Sequence, residues 1–359
     1  MDVLNVATRA RQEEVQVDLE PAKKLRVAWV DYAKGICIFL VVMLHTNHHV
    51  ELYKGVDWNW LDNVVAFARP FRMPDFFLLA GLFVARIIKR PWRYFVDSKI
   101  LHFYYFYVLW LVFIFLYFDV RFSFVHHGWD QSGHLLKQFL MELVEPSYPL
   151  WFIHSLPIYF LITRLVAGVP AWIILGITAI LQMSSVHTGI TVIDQFCLRF
   201  VYFYSGFLLA SKVFDLAAFA SRRPSLAICY LLGWGIIEET LVHYGVADKP
   251  GLSLALGYLG AFAVIMAATL FAKIRWMAWL RALGKNSLVI YLGFMIPMSI
   301  SYSFLSGAIS DAGWLAVCVT ICAVGGAAFM YWLAGILQIN FLYHRPAWAR
   351  IVKPAGTSD

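Results

Sequence analysis

Residues 26–50 read RVAWVDYAKGICIFLVVMLHTNHHV. About 20 apolar residues suffice to cross the hydrocarbon of a bilayer as a helix, and this stretch has that length and apolar weight. Yet Asp31, Lys34 and His45 lie inside it. A charge at mid-bilayer costs at least about 2.5–3.5 kcal/mol, and such residues face a bundle interior or a watered cavity. The spacing says more. Lys34 and His45 are separated by roughly 16 Å along a helix axis at 1.5 Å per residue, and the intervening steps of 100° return to nearly the same face. One helix thus offers a fixed cation on its entry side and a titratable imidazole toward its far end, both directed into whatever the bundle encloses.

The rest of the chain agrees with a membrane setting. Of its 359 residues 61% are apolar and only 14% charged, with a mean hydropathy of +0.69, whereas soluble domains carry about 25% charged residues. The apolar stretches have helical length and lack the ten-residue alternation of an outer-membrane barrel, so the expected fold is an all-α bundle. Five cysteines, at 37, 197, 229, 318 and 322, sit in apolar segments without metal-type spacing and read as packing residues. The net charge of +7 excludes little, because the basic residues lie in short loops where membrane topology explains them better than nucleic acid does.

Working outward, residues 1–25 form a polar N-terminal tail. A second span, FARPFRMPDFFLLAG at 67–81, is interrupted by Arg69, Pro70, Arg72, Pro74 and Asp75. Prolines remove helix donors and are tolerated at membrane depth where neighbours or water satisfy the freed carbonyls, so this span also belongs beside the cavity. Further spans are expected at about 99–119, 149–166, 170–186, 194–213, 225–246, 252–272, 284–306 and 312–337. That makes ten transmembrane helices in a membrane domain over 26–338, followed by a tail at 339–359. With the N-terminus inside, 21 of the 29 lysines and arginines fall on the inner side, four outside and four within spans. Such a bias predicts both termini in the cytoplasm, Lys34 toward the inner face and His45 toward the outer. The only long connection runs from Phe118 to Pro149 and carries His126, His127, Asp130, His134, Glu142 and Glu145.

The run Asp31-Tyr32-Ala33-Lys34-Gly35 followed by His45 resembles the first-helix signature of the acyltransferase-3 family of integral-membrane O-acyltransferases. FRMPDFFLLAGLF at 71–83, the basic turn from Arg86 to Lys99, LWFIHSLPIYFL at 150–161, Arg199 with Gly206, and LGKNSLVIYL at 283–292 resemble later family segments in the same order. Two departures stand out. Many members have arginine where this chain has Lys34, and many carry a histidine at the position of Phe294.

The resemblance implies transfer of an acyl group, acetyl by default, from cytoplasmic acyl-CoA to a hydroxyl of an extracytoplasmic sugar, glycan or glycolipid. The expected setting is a multi-pass protein of the cytoplasmic (inner) membrane, with lipid around it and no nucleic-acid partner. A hydroxyl is a weak nucleophile, so a general base near pKa 7 is needed; His45 is the candidate. Asp31, one turn before Lys34, is placed to neutralise and orient that lysine, or merely to ease its insertion. The phosphates of a CoA donor prefer clusters of Arg and Lys, which Arg86, Arg90, Arg93 and Lys99 supply, unless that turn is only a topology signal. Arg72 is a candidate to hold a thioester oxygen or the acceptor, against pairing with Asp75 or with freed carbonyls. Trp151 and Arg199 complete the expected substrate residues.

Other readings stay open at this level. His45, His48 and His49 have a metal-like spacing without an evident carboxylate partner, and no metal is expected. His154 reads as a core histidine. Trp58 and Trp60, like Trp151, could stack on a sugar ring or belong to an interfacial belt. The competing function is a multi-pass transporter of a small polar or anionic substrate, since broken helices and intramembrane charges also mark substrate pathways. A third is an inactive assembly partner, which would tolerate replacement of His45.

Overall fold

The computed structural model describes residues 27–121, 123 and 132–352. The N-terminal tail and His126, His127 and Asp130 of the long connection lie outside the described residues. Every regular element among those described is helical. We number the helices α1 (Ala28–Lys54), α2 (Leu61–Gly81), α3 (Trp92–Val120), α4 (Ser132–Glu142), α5 (Trp151–Leu165), α6 (Ala171–Met183) and α7 (Thr191–Leu208). They continue with α8 (Ala210–Arg222), α9 (Pro224–His243), α10 (Leu252–Phe271), α11 (Ala278–Lys285), α12 (Ser287–Gly293), α13 (Met295–Leu305) and α14 (Ala312–Ile336).

Among the described residues six of these are long and apolar enough to cross a membrane, namely α1, α3, α5, α9, α10 and α14; eight crossings result if α7–α8 and α12–α13 each count as one. The expectation of ten is finer than length and composition support. Helix α2 carries Asp62, Arg69, Arg72 and Asp75, too much charge for an apolar span, and α6 has only 13 residues.

Two expected straight spans are broken. The α12–α13 pair bends by 58° at Phe294, where Pro297 cannot donate to the carbonyl of Gly293, four residues back. The α7–α8 pair bends by 77°, and α8 then runs as a separate helix bearing Lys212, Asp215 and Arg222. Conversely α2 continues through Pro70 and Pro74 as one helix, so the interruption expected there leaves the helix whole.

Helix α1 is the hub. It packs against α2, α10, α11, α12 and α14, which explains how it keeps Asp31 and the apolar Ile38 and Val42 out of contact with the surroundings. By contrast only 11% of the apolar window of α9 is buried, and Leu232, Ile236 and Ile237 are exposed, as a lipid-facing helix requires. Association in lipid relies on close backbone approach, because apolar side chains gain little by leaving an apolar solvent. Two glycine pairs provide it. A Cβ on Gly35 would collide with the Leu280 carbonyl and one on Gly284 with the Asp31 carbonyl, fixing α1 against α11; Gly81 and Gly206 do the same for α2 against α7. Replacing Gly284 by valine is expected to destabilise the protein by about 1–3 kcal/mol through overpacking, read as a lower melting temperature of the detergent-solubilised chain. Substitution of exposed Gly233, which meets no atom, should leave that temperature nearly unchanged.

The last described segment folds back on α3. Tyr105 Oη donates to the Phe341 carbonyl at 2.9 Å and Trp110 Nε1 to the Leu342 carbonyl at 3.1 Å. Arg345 then reaches Asp97, with Nη2 to Oδ1 at 2.5 Å and Nη1 to the backbone carbonyl at 2.6 Å. The segment after residue 338 is therefore a docked strap as far as Ile351, whose N–H also donates to Asp97 Oδ1 at 2.8 Å.

Candidate functional site

Helix α1 presents Asp31, Lys34, Val41 and His45 to a run of three cavities. The first, about 900 Å³, lies where α1 begins and is bordered by Asp31, Lys34, Arg86, Arg90, Ser98 and Lys99. The second, about 300 Å³, shares Lys34, Phe83 and Lys99 with the first and is otherwise mostly aromatic and aliphatic. The third, about 20 Å³ beside His45, shares Phe76, Phe152 and Tyr291 with the second and has room for about one water. Three neighbouring cavities thus run from a polar, basic one through an apolar one to the pocket beside His45.

Three helices form the neck in front of His45. Phe76 of α2 meets Phe152 of α5 edge to face at 5.0 Å, and Phe152 meets Tyr291 of α12 at 5.6 Å. Tyr291 is held by donation from its hydroxyl to the Pro149 carbonyl. Behind the histidine, the Phe294 ring lies 5.6 Å away and is completely buried. The position at which many family members place a second histidine thus faces His45 itself, at the α12–α13 break. Below His45 on α1, Cys37 donates its thiol hydrogen to Asp75 Oδ2 at 2.5 Å. Cys37 is therefore more than the packing residue its apolar context suggests.

At the mouth the expected residues separate. Lys34, Arg86, Arg90 and Lys99 border the first cavity, whereas Arg93 is exposed and stands outside its lining. Lys99 sits on a π-helical turn, Val96–Leu101, a device frequent at functional positions. Its ammonium lies 4.6 Å from the Phe160 ring centre and 5.9 Å from that of Phe103. Arg164 stacks over Trp92 at 4.0 Å and donates to the Arg90 carbonyl at 2.7 Å, fixing that turn. Asp31 Oδ2 stands 3.8 Å from Arg281 Nε of α11, an ion-pair partner that spacing within α1 could not reveal.

The broken-charge segment of α2 also resolves. Arg69 pairs with Asp248 at 2.5 Å on an exposed surface. The Arg72 side chain, by contrast, is buried at 6% exposure, and its Nε and Nη1 reach no hydrogen-bond partner among the described residues. Asp75 makes no hydrogen bond to it: Oδ2 accepts from Cys37, and Oδ1 reaches no partner among the described residues. Arg199 of α7 donates from Nε to Gln195 Oε1 at 2.6 Å and lies over the Trp151 ring at 5.3 Å. Trp151 itself borders the His45 pocket.

The histidines other than His45 do not converge on it. His49 packs on Tyr53 and Tyr302 at 4.5 and 5.1 Å, and His48 is exposed. His154 is buried among Tyr104 and Tyr107, with Nε2 3.3 Å from the Tyr104 hydroxyl. Among the described residues no three His, Cys, Asp or Glu side chains are grouped so as to hold a metal. Trp60 donates to Asp311 at 3.2 Å, and Trp58 is exposed.

Sequence reasoning missed His102, which borders the second chamber, and the Asp97–Arg345 pair beneath the same π turn. A carboxylate near the start of an apolar span is a signal that could have flagged Asp97, because it demands a partner. Nothing local marks that partner as Arg345.

No solved structure matches the chain. A curated relative, the inner membrane protein YcfT of Escherichia coli (strain K12), is 26% identical over 166 residues, covering 40% of this chain and 44% of the relative. The aligned part thus spans under half the length of that protein. The family model described as an acyltransferase domain matches residues 27–332, almost the whole of the helical bundle and every residue placed along the pathway, and on that match the chain belongs to the acyltransferase-3 family of membrane proteins.

Proposed function

We propose that the protein transfers an acyl group from acyl-CoA, acetyl-CoA by default, to a hydroxyl of a sugar, glycan or glycolipid on the outer side of the cytoplasmic membrane. The observation that carries this reading is the graded pathway from Lys34 to His45, whose successive chambers share lining residues. A CoA donor has the complementary form: phosphates at one end, then a slender arm, then a thioester. Lys34, Arg86, Arg90 and Lys99 would receive the phosphates, where charge-assisted hydrogen bonds are strongest. The apolar chamber would take the arm, and the neck of Phe76, Phe152 and Tyr291 would set the thioester carbonyl before His45.

His45 then accepts the proton of the acceptor hydroxyl as its oxygen attacks the carbonyl. A C–O bond forms, the C–S bond breaks, and the proton passes from His45 to the departing CoA thiolate. The positive-inside count, which puts the α1 start in the cytoplasm, fits a donor mouth there and an acceptor arriving from outside. Ten crossings with both termini inside, and a membrane domain flanked by short tails, complete the proposed arrangement. The narrowing to about 20 Å³ at His45 favours a reaction point over the conduit that a transporter needs.

The test is turnover of acetyl-CoA by the purified protein in proteoliposomes, with an extracted envelope glycan pool as acceptor and mass spectrometry as readout. Acyl-glycan product supports the proposal and its mass names the acyl group; absence of both donor binding and turnover overturns it. Removing one cation of the mouth, Arg90→Gln, is expected to raise KM for the donor about tenfold or more, since a hydrogen bond to a charged group contributes about 1.5–3 kcal/mol. With the proton-transfer residue untouched, kcat should stay within about twofold.

A further inference from the structure

We propose that one of the two substrates carries a second anionic group, a carboxylate or a phosphate, which Arg72 and Arg199 receive beside His45; this rests on the acyltransferase reading above. Arg72 is an uncompensated cation inside the bundle, 6% exposed, with Nε and Nη1 unpartnered among the described residues. Asp75, one turn on, accepts the Cys37 thiol at Oδ2 and leaves Oδ1 without a partner among the described residues, so it makes no hydrogen bond to Arg72, and Asp248 pairs with Arg69. Arg72 directly precedes Met73, which lines the His45 pocket, and Arg199 adds a like charge in its surroundings. Arg199 brings no counter-charge either, for its neighbours are the Gln195 amide and the Trp151 face.

A buried cation with a partly exposed like charge nearby and no anion is costly to keep, and a ligand that supplies the anion removes the cost. The guanidinium fork matches the planar carboxylate and the phosphate two bonds at a time. Location makes the pair a substrate feature, because Trp151 touches both the Arg199 guanidinium and the His45 pocket. That pocket holds about one water's volume, about 20 Å³, and Met73 on its wall is an unbranched side chain suited to yielding space. The anionic group has two sources of one chemistry: the far end of a dicarboxylic acyl chain, or an acidic group on the acceptor.

The experiment titrates the full-length protein in nanodiscs with two matched sets of probes, succinyl-CoA against acetyl-CoA, and glucuronate or glucose 1-phosphate against glucose with CoA present. Wild type is expected to bind the anionic member of one set at least about tenfold more tightly. Arg72→Gln should abolish that preference, Arg72→Lys should restore part of it, and CoA itself should bind equally to all three. A preference between donors assigns the anion to the acyl chain; a preference among sugars assigns it to the acceptor. Equal affinities within both sets, or a preference that persists in Arg72→Gln, overturns the proposal. Arg199→Gln serves as the second variant where Arg72→Gln does not fold. Failure of wild type to bind any CoA ester would overturn the acyltransferase reading instead, and the sugar set would still decide the anion site.

Discussion

Replacing His45 with alanine is expected to lower acyl transfer about 10²–10⁴-fold, the usual contribution of a positioned general base, while donor affinity stays within about twofold. The asymmetry follows from the layout. The cations that would bind the donor border a chamber at the start of α1, whereas His45 borders only the small pocket beyond the Phe76–Phe152–Tyr291 neck. Truncating the imidazole leaves the mouth intact and removes only the proton acceptor. Single-turnover transfer from radiolabelled acyl-CoA, alongside equilibrium binding of CoA to the same preparation, separates the two effects. Phe294 sharpens the prediction, because the residue facing His45 has no titratable group. No second histidine stands at that position to take over the proton, so the residual rate should lie toward the low end. A His45→Ala protein with undiminished transfer would remove the general-base role.

The second large effect concerns the strap. Arg345→Met is expected to destabilise the fold by about 3–5 kcal/mol, because it leaves Asp97 as a buried, uncompensated carboxylate. The pair is 4% and 9% exposed at the two side chains and joins residues 248 apart in the sequence. Combining Arg345→Met with Asp97→Leu removes both charges and should recover most of the loss, as replacements of whole buried ion pairs commonly do. Thermal unfolding of the detergent-solubilised single and double variants measures this directly. A functional trace should accompany it. Asp97 shares a π turn with Ser98 and Lys99 at the mouth, so the single variant should also raise the donor KM. If the single variant melts like wild type, the strap contributes nothing and the ion pair is a surface accident.

How much of this was legible beforehand depends on the range of the interaction. The face shared by Lys34 and His45 follows from helical periodicity, and the two residues line neighbouring cavities. Charges inside an apolar helix demand a cavity or a partner, which marked Asp31, Lys34 and Arg72 as residues to explain. The identity of each partner was another matter. Asp75 lies one turn from Arg72, yet it faces α1 and takes Cys37. Asp31, one turn from Lys34, also meets Arg281 of α11, which nothing within α1 indicates. Arg93 has the same composition cue as Arg90 but falls outside the chamber.

The sequence alone determined a helical membrane protein and a first helix with charges and a histidine on one face, because these rest on composition, period and spacing within single segments, and its motifs in order carried the resemblance to one family. Tertiary structure alone decided that Phe294 faces His45, that Phe76, Phe152 and Tyr291 from three helices close a neck, that Arg345 clamps Asp97, and that Arg72 is left without a carboxylate. Those outcomes depend on which helices become neighbours and how closely their glycines let them approach, and a helical period specifies a face without naming what packs against it.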